Sequence, residues 1–416
     1  MIVAKRTWAL VALPWMAFLP LACASNTGGR DEGNGATAQS DEALDADALS
    51  VIPDLPFRPA SCAAPAEAGF VRCHSKVRVS PEGNIQVNAA PSGLAPKDLL
   101  SAYKVPSGGK GTIAIVDAQD DPNAEADLAQ YRSTFGLPAC TTANGCFKKL
   151  NENGKASPLP TADPGWASEI ALDIEMASAI CPGCKIILLE ADQPTIEDLG
   201  KAVNTAVTLG ATVVSNSYGG GEDNTDPASD KSFFTHAGVA VFASSGDSGF
   251  GVEYPAAGAN VIGVGGTSLT KSSSARGWAE KAWNGAGSGC SQFTAKPSWQ
   301  TDTGCKNKTV ADLSAIADPS TGVAVFDSFG VGGWAVFGGT SVASPVVASI
   351  FAATKNGAKS GKDVWTHTSD FFDVTSGNNG TCTPKYLCTA RKGFDGPTGW
   401  GTPNASKFGS LAVASE

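Results

Sequence analysis

Histidine is scarce in this sequence, which contains only three in 416 residues, at His74, His236 and His367. None of them stands in a His-Gly-Thr-His motif of the kind that supplies an imidazole base. His236 precedes Ala237-Gly238 at the end of a helical pattern, where an imidazole commonly caps carbonyl groups. If the protein has a serine nucleophile, its base is therefore expected to be a carboxylate rather than a histidine.

Positive charge and long apolar runs are also in short supply. The net charge of −10 and the sequence pI of about 4.9 argue against nucleic acid as a partner and suit acidic or salty surroundings. Charged residues make up only 17% of the chain, and 48 glycines indicate a loop-rich, tightly packed extracellular protein. No segment after the N-terminus is long and apolar enough to predict a transmembrane anchor.

The N-terminus has the pattern of an export signal. Lys5 and Arg6 precede an apolar stretch over residues 8–21, and Ala22-Cys23-Ala24 fits a small-residue cleavage site. The sequence therefore predicts a signal peptide over residues 1–24 and a secreted, extracellular protein. Cys23 also fits a bacterial lipoprotein site, so a lipid anchor there, with a cell-surface location, is the alternative.

The cysteines support export. Of the eleven, all but Cys23 are near neighbours in sequence, which in an exported chain predicts local disulfides. The expected pairs are Cys62/Cys73, Cys140/Cys146, Cys181/Cys184, Cys290/Cys305 and Cys382/Cys388. Zinc binding or a redox role at Cys181-Pro182-Gly183-Cys184 is the alternative, although only His74 lies near a cysteine pair and no second CxxC motif exists.

Composition divides the rest of the chain into three parts. Residues 25–50 are polar and small, which predicts a disordered linker, and residues 51–93 form an N-terminal extension or a remnant pro-segment. From residue 94 to 416, apolar runs typical of buried parallel strands alternate with helical segments. The runs lie at 112–117, 185–189, 212–215, 239–243 and 261–264, and the helical segments at 123–135, 166–180, 195–209 and 228–236.

This alternation predicts one large α/β domain, with a parallel sheet flanked by helices on both faces. Functional groups of such folds lie at the carboxyl ends of the strands. Asp117, Ser217, Asp247 and the turn before Ser341 are all expected at strand ends.

Ser341 is the candidate nucleophile. The apolar run Trp334–Phe337 predicts a buried strand, two glycines break it, and Thr340 and Ser341 begin a helical segment that reaches Thr354. A helix start leaves N–H groups unpaired and carries partial positive charge, so a serine there can attack while its oxyanion is stabilised locally. A capping serine at an ordinary helix start is the alternative.

Carboxylates offer the missing base. Glu169 and Asp173 are four residues apart on a largely apolar helix, so they share one face, and coupled carboxyls raise one another's pKa. Asp247 follows a buried strand in Ser245-Gly246-Asp247-Ser248-Gly249, where a protonated carboxyl could donate to an oxyanion. The alternatives are an exposed acidic stripe and a turn aspartate that accepts backbone hydrogen bonds.

Taken together and in this order, Glu-x-x-x-Asp, Ser-Gly-Asp-x-Gly and Gly-Thr-Ser-x-x-x-Pro resemble the sedolisin family of serine-carboxyl peptidases over roughly residues 94–416. The resemblance implies a subtilisin-like fold. It implies these roles: nucleophile Ser341, general base Glu169, its orienting partner Asp173, oxyanion donor Asp247, and substrate-backbone contacts at Tyr218, Gly219 and Gly220. Family members carry a long folded pro-domain, whereas this sequence offers only residues 51–93 for that purpose.

The resemblance also implies one bound calcium ion near the C-terminus. Its ligands would be the carboxylates of Asp373 and Asp395 and the carbonyls of Val374, Arg391 and Gly393, which are the hard oxygen donors that calcium prefers. The family usually has glycine where Arg391 stands. A plain surface loop is the alternative.

The sequence therefore predicts a secreted, monomeric endopeptidase that hydrolyses polypeptides at acidic pH. A subtilisin-type enzyme with Asp117 in its triad is one alternative, but no fitting histidine exists. The other is a catalytically inactive, calcium-stabilised surface binding protein on the same fold.

Overall fold

The structure of the chain is a computed structural model. It describes residues 56–59, 62, 69–354 and 360–410. The predicted signal peptide over 1–24, Cys23 and the predicted linker over 25–50 lie outside these residues. Within these ranges, no helix is both long and apolar enough to cross a bilayer.

The described residues form short helices and many strands. The helices are α1 (Pro96–Ala102), α2 (Ala124–Thr134), α3 (Pro164–Ile180), α4 (Ile196–Thr208), α5 (Asp226–Ser229), α6 (Thr340–Ala353) and α7 (Gly361–Thr366). The first strands are β1 (Phe57–Pro59), β2 (Arg72–Cys73), β3 (Lys76–Arg78), β4 (Thr112–Ala118), β5 (Phe147–Asn151), β6 (Lys185–Ala191), β7 (Val213–Asn216), β8 (Tyr218–Gly221), β9 (Ala240–Ser244) and β10 (Glu253–Tyr254). The later strands are β11 (Val261–Lys271), β12 (Trp278–Ala282), β13 (Gly289–Ala295), β14 (Asn307–Val310), β15 (Leu313–Ile316), β16 (Val323–Asp327), β17 (Gly333–Gly338), β18 (Phe371–Phe372) and β19 (Thr402–Pro403).

An eight-stranded sheet forms the centre, in the order β12-β11-β9-β7-β4-β6-β5, with β15 also paired to β11. All of its pairings are parallel except that of β12 with β11. Alternate residues of β4 pack on opposite faces: Ile113 and Ile115 face α3 and α6, whereas Ala114 and Val116 face α4. The predicted parallel sheet with helices on both faces is confirmed.

Local sequence accounts for the start of α3. Asp163 caps the helix by accepting a hydrogen bond from Trp166 N at 2.9 Å, and Pro164 occupies the first turn, where its missing N–H costs nothing. The segment predicted as a helix over 228–236 is divided instead. It contains the end of α5 and a π-helical turn over Asp230–Phe234, and His236 lies beyond both, with its Nε2 2.8 Å from Phe233 O.

The strand that leads to Ser341 lies in a different sheet from the one predicted. β17 is buried as expected, but it lies in a separate antiparallel sheet of order β1-β3-β17-β16 rather than in the central parallel sheet. Ser341 therefore reaches the carboxyl edge of the central sheet through the start of α6. Gly339, with φ of 96°, makes the turn between β17 and α6.

All five predicted disulfides are present, at Cys62–Cys73, Cys140–Cys146, Cys181–Cys184, Cys290–Cys305 and Cys382–Cys388. The Cys181-Pro182-Gly183-Cys184 sequence is thus a disulfide and not half of a zinc site. The pairing agrees with the interpretation of this chain as an exported protein.

Candidate active site

Glu169 and Asp173 lie on the face of α3 that is covered by the rest of the domain. Both side chains are fully buried, because every residue of α3 from Gly165 to Ile180 is buried against the sheet and α6. An exposed acidic stripe is therefore wrong for this helix. Burying two carboxyl groups so close together raises the free energy of their charged forms. The two groups therefore retain protons to higher pH than exposed carboxyl groups do.

Asp117, at the end of β4, joins these two acids. Burial raises the pKa of Asp117 and of Asp173 well above the usual range, and the charges of neighbouring acids raise it further, Glu169 for Asp117 and Asp117 for Asp173. Ser217 lies close enough to Asp173 for a hydrogen bond that opposes this rise, whereas among the described residues no hydrogen-bond donor reaches either carboxyl oxygen of Asp117. The sequence assigned Asp117 only to an alternative triad, whereas the structure places it in one acid cluster with Glu169 and Asp173.

Glu169 differs from the other two acids because two donors reach it, one of them a backbone N–H. Ser75 N donates to Glu169 Oε2 at 3.0 Å, and the hydroxyl of Ser341 lies close enough to lower its pKa. Burial nevertheless dominates and raises the pKa of Glu169 to about 8. Since donors stabilise a carboxylate, Glu169 is the member of the cluster that ionises first as pH rises.

Ser341 begins α6 with its side chain fully buried. Its Oγ donates to Ser217 O at 3.2 Å, and Ser217 follows β7 at the carboxyl edge of the central sheet. The hydroxyl is therefore held between the end of a central strand and the buried acids of α3.

Asp247 presents one paired and one unpaired carboxyl oxygen. Its Oδ1 accepts hydrogen bonds from Thr340 N at 2.7 Å and from Thr340 Oγ1 at 2.8 Å. Its Oδ2 has no hydrogen-bond partner among the described residues and lies 3.8 Å from Lys76 Nζ. Burial raises the pKa of Asp247, and the charges of Lys76 and His74 oppose that rise. Oδ2 is thus the oxygen that can carry a proton and donate it.

Residues 69–76 of the chain itself, here called the cleft segment, lie extended across these groups. Arg72 and Cys73 pair antiparallel with Gly219 and Tyr218 of β8. On the other edge, Val71 N donates to Pro194 O at 2.8 Å and Ile196 N donates to Gly69 O at 3.0 Å. The cleft segment is therefore held between two extended stretches of the domain, as a bound peptide is when it adds a strand to a sheet edge.

Glycines of β8 permit this close approach. A Cβ on Gly220 would lie 2.7 Å from Phe70 O, and a Cβ on Gly219 would lie 2.7 Å from His74 Cε1. Any side chain at either position would push the cleft segment away from β8. The role of Tyr218, Gly219 and Gly220 toward a separate substrate stays a prediction.

The peptide bond between His74 and Ser75 lies at the catalytic candidates. Its amide nitrogen, Ser75 N, donates to Glu169, and the N–H of His74 donates to Ser217 O at 3.1 Å. Its carbonyl oxygen, His74 O, is 1.9 Å from the position that a Cβ on Gly339 would take, and Asp247 Oδ2 is 2.7 Å from the same position. One peptide unit therefore spans the base, the nucleophile region and the unpaired oxygen of Asp247.

Comparison with known proteins agrees with this geometry. The sequence profile of the subtilase family matches residues 164–401. Kumamolisin from Bacillus sp. (strain MN-32) is 33% identical over 400 residues, which cover 83% of this chain and 70% of that protein. The chain belongs to the sedolisin family of serine-carboxyl peptidases. The predictions of the family, the subtilisin-like fold and the peptidase class are confirmed.

Two further comparisons show how much of the chain the similarity to the sedolisin family covers. Sedolisin from Pseudomonas sp. (strain 101) is 27% identical over 355 residues, which cover 74% of this chain but only 59% of that protein. The solved structure of Pseudomonas sedolisin complexed with two molecules of pseudo-iodotyrostatin matches with a TM-score of 0.66 at 27% identity, covering 77% of this chain and 98% of that one. The roles of individual residues stay predictions.

In the loop expected to hold calcium, two carboxylates accept hydrogen bonds from backbone N–H groups between residues 391 and 398. Buried Asp395 accepts hydrogen bonds from Thr398 N and Arg391 N, each at 3.0 Å, and Asp373 accepts from Gly393 N at 2.9 Å. Burial, with some contribution from the charge of Asp373, raises the pKa of Asp395 to about 7. The charges of Asp373 and Asp395 act on one another, and carboxylate oxygens are donors that a hard cation prefers.

Within the described ranges, no group of three or more His, Cys, Asp and Glu side chains could hold a metal ion. The expected ligand set contains only two carboxylates, and its other members are backbone carbonyls, so this result does not bear on it. The calcium site stays a prediction.

The cleft segment is the part of the site that sequence reasoning missed. His74 was assigned to an N-terminal extension, and its only sequence signal was the adjacent Cys62/Cys73 pair. The imidazole is buried, with hydrogen-bond partners 170 and 179 residues away in sequence, which no local pattern can indicate.

Proposed function

We propose that this chain is an exported endopeptidase that hydrolyses polypeptides at acidic pH through Ser341, Glu169 and Asp173, with Asp247 as the oxyanion donor. The observation that carries the proposal is the His74–Ser75 peptide unit, whose nitrogen lies on Glu169 and whose carbonyl oxygen lies beside the unpaired oxygen of Asp247. A peptide bond in this position has a group for each step of acyl transfer.

In the proposed reaction, Ser341 Oγ attacks the carbonyl carbon while Glu169 accepts its proton. The oxyanion that forms accepts a hydrogen bond from protonated Asp247. Glu169 then returns the proton to the departing nitrogen, and a water molecule hydrolyses the ester with Glu169 again acting as base. Asp173 and Asp117 retain protons behind Glu169, so that negative charge in the cluster is concentrated on the residue next to Ser341.

The acidic working range follows from two opposite requirements. Glu169 must be ionised, whereas Asp247 must be protonated. Burial raises the pKa of both groups, which moves the protonation of Asp247 toward milder acid. Opening of the cleft would remove the Ser75 hydrogen bond but would admit water to Glu169. Since burial is the largest cause that raises the pKa of Glu169, its loss would outweigh the lost hydrogen bond and lower the pKa, which favours the open enzyme as the form active in acid.

Calcium, oligomeric state and location belong to the same proposal. One calcium ion would be held by Asp373, Asp395 and the carbonyls of Val374, Arg391 and Gly393, and it would neutralise the two carboxylates and stabilise the C-terminal loop. Excess chelator is then expected to lower the melting temperature, and an unchanged value would remove calcium from the proposal. The enzyme would act as a secreted monomer, with a lipid anchor at Cys23 as the alternative.

A single substitution tests the catalytic proposal. Ser341→Ala removes the covalent route and should lower kcat/KM on an unfolded protein about 10⁴-fold between pH 2 and pH 8. Retention of more than a tenth of wild-type activity would rule out Ser341 as the nucleophile. If the wild-type chain cleaves nothing at any pH, it is instead the inactive, calcium-stabilised binding protein considered above.

A further inference from the structure

We propose that a pocket beside the C-terminal loop, here called the aromatic pocket, binds a small aromatic carboxylate. Four aromatic side chains line it together with Arg391 and Asp302, and its volume is about 280 Å³. A cavity of about 150 Å³ already accepts benzene, so this space holds one aromatic ring and a carboxylate. No residue assigned to catalysis lines the pocket, and Arg391 is proposed as a calcium ligand only through its carbonyl.

Three aromatic rings form one wall of the aromatic pocket. The ring centroids of Trp365 and Phe394 lie 4.4 Å apart, and that of Trp400 lies 5.6 Å from Trp365 and 5.7 Å from Phe394. Trp365 is buried, and its Nε1 donates to Asp312 Oδ1 at 2.8 Å, which fixes the indole. Rings held in this way offer edges and faces to an aromatic ligand, and little side-chain freedom is lost when it binds.

Tyr386 completes the aromatic lining and is fixed at its hydroxyl. The hydroxyl donates to Asp302 Oδ2 at 2.7 Å and accepts from Gly304 N at 2.7 Å. A Cβ on Gly304 would lie 2.2 Å from the same hydroxyl, so a side chain there would displace the tyrosine. The Cys382–Cys388 disulfide closes the short loop that carries Tyr386. The position of this ring is therefore set from both the hydroxyl and the backbone.

Arg391 supplies the charge that selects a carboxylate. Its guanidinium lies over the Tyr386 ring, with Cζ 4.4 Å from the ring centroid, and its Nε donates to Phe394 O at 3.0 Å. Its terminal nitrogens, Nη1 and Nη2, form no hydrogen bond or ion pair with any residue that the structure describes. A guanidinium fixed at its face and its Nε presents these N–H groups to a carboxylate in a forked geometry.

The negative charge of Asp302 does not cancel that of Arg391. The carboxylate of Asp302 accepts from Lys296 Nζ at 2.6 Å and from Thr309 Oγ1 at 2.9 Å, in addition to the Tyr386 hydroxyl. Its side chain is 5% exposed and already has a cation as partner. Among the lining residues the uncompensated charge is thus positive, which favours an anionic ligand over an amine.

The end of a cut peptide is the form of aromatic carboxylate that a peptidase itself produces. A carboxyl-terminal phenylalanine or tyrosine has the ring and the carboxylate that the aromatic pocket would recognise, and a free aromatic acid shares this chemistry. The backbone N–H of Arg391 donates to Asp395 Oδ2 and its Nε donates to Phe394 O, so a ligand held by Arg391 should also stabilise the C-terminal loop.

The test uses the full chain with Ser341→Ala, in which the cleft segment still pairs with β8 and covers the candidate active site. N-acetylphenylalanine, its amide and acetate are titrated by calorimetry at about pH 5.5, where the carboxyl group of the acid is ionised. The acid should bind with a dissociation constant of about 0.1–1 mM. The amide and acetate should each bind about 10-fold more weakly or worse, because each lacks one of the two recognised groups.

Two variants locate the binding. Arg391→Gln should weaken N-acetylphenylalanine about 10-fold or more and remove its advantage over the amide. Lys392→Gln, the same loss of charge at the next residue, which is exposed and outside the pocket lining, should preserve both. The acid should also raise the melting temperature of Lys392→Gln but not that of Arg391→Gln.

Equal affinities for acid and amide overturn the inference, and so does an equal effect of Arg391→Gln and Lys392→Gln. Absence of binding up to about 10 mM acid also overturns it. The comparison of acid with amide changes nothing in the pocket, so it decides even if Arg391→Gln fails to fold. Tighter binding of N-acetylalanylphenylalanine than of 3-phenylpropionate supports the pocket with peptide ends as the source, and the reverse order supports it with free acids. No readout involves cleavage, so failure here leaves the proposed catalytic function in place.

Discussion

Burial of acids without salt-bridge partners is the feature that organises the site at the scale of single residues. Asp117, Glu169 and Asp173 come from β4 and α3, and no ion pair with a described residue neutralises them. The charge of Glu169 therefore raises the pKa of Asp117, and the charge of Asp117 raises that of Asp173, in addition to the effect of burial. A histidine base would be protonated in acid and lose its function, whereas a carboxyl group with a raised pKa still accepts a proton there. The scarcity of histidine in the sequence is consistent with this choice.

Asp117 tests whether the acid cluster keeps its other protons in the working pH range. Asp117→Asn replaces a carboxyl group that is proposed to stay protonated with an amide of the same shape, so the charge of the cluster should not change in acid. Both the acid limb of kcat/KM against pH and the alkaline limb, assigned to Asp247, should therefore stay within about half a pH unit of the wild type. The measurement is the pH profile of peptide hydrolysis from pH 2 to pH 8.

A matched control for this change is Asp127→Asn, which removes a buried acid on α2 outside the cluster. The control should leave both limbs where they are in the wild type. An acid limb that moves down by about one pH unit in Asp117→Asn, but not in the control, would mean that Asp117 is ionised in acid and raises the pKa of Glu169.

At the scale of elements, the central strands could be predicted from sequence and the cleft segment could not. Strands such as β4 and β6 are buried on both faces, so they appear as continuous apolar runs with clear ends. β2 and β3 contain only two and three residues and exist because they pair with β8 and β17, far away in the chain. Pairing of this kind leaves no periodic pattern in the short strands themselves.

The same limit applies to the candidate site. Ser341, Glu169, Asp173 and Asp247 could be proposed because each lies in a local motif that joins an element boundary to a reactive group. The position of Asp117 in the acid cluster depends on the packing of α3 against β4, which becomes visible only when the helix is placed over the sheet.

The positive charge of Lys76, on β3, should control the pH at which activity declines toward neutrality. Lys76 Nζ lies 3.8 Å from Asp247 Oδ2 and lowers the pKa of Asp247. Lys76→Gln removes this charge, so the pKa of Asp247 should rise and the residue should remain protonated to higher pH. Peptide hydrolysis should then continue about one pH unit further toward neutrality, as measured by kcat/KM at each pH from 2 to 8.

Lys271→Gln is the matched control for that prediction. Lys271 forms its ion pair with Asp98 at 3.4 Å, and its side chain is 73% exposed. Its replacement should not move the alkaline limb. If Lys76→Gln loses activity at the same pH as the wild type, deprotonation of Asp247 is not what ends activity toward neutral pH.

At the scale of the whole molecule, buried acids inside and outside the site should make the fold itself acid-stable. Burial is the main cause that raises the pKa of Glu190 to about 9, of Glu169 to about 8, and of Asp121 and Asp226 to about 7. In the folded state these groups retain protons that the unfolded chain releases near pH 4. The net charge of −10 at neutral pH adds repulsion in the same direction.

The sign of the effect on stability follows directly. A raised pKa contributes stability that is fully present below about pH 4 and is lost as pH rises toward 7 to 9. Glu253, with its pKa lowered to about 2, acts oppositely, because its contribution is lost as pH falls from about 4 toward 2.

The melting temperature of Ser341→Ala, chosen to prevent self-cleavage, should therefore be highest near pH 4 and fall by about 10 °C or more by pH 8 in calorimetry. Glu190→Gln, which cannot ionise, should reduce the fall, whereas Glu197→Gln, at a 73% exposed position of α4, should not. A melting temperature that rises steadily from pH 4 to pH 8 would show that these buried acids do not govern the stability of the molecule.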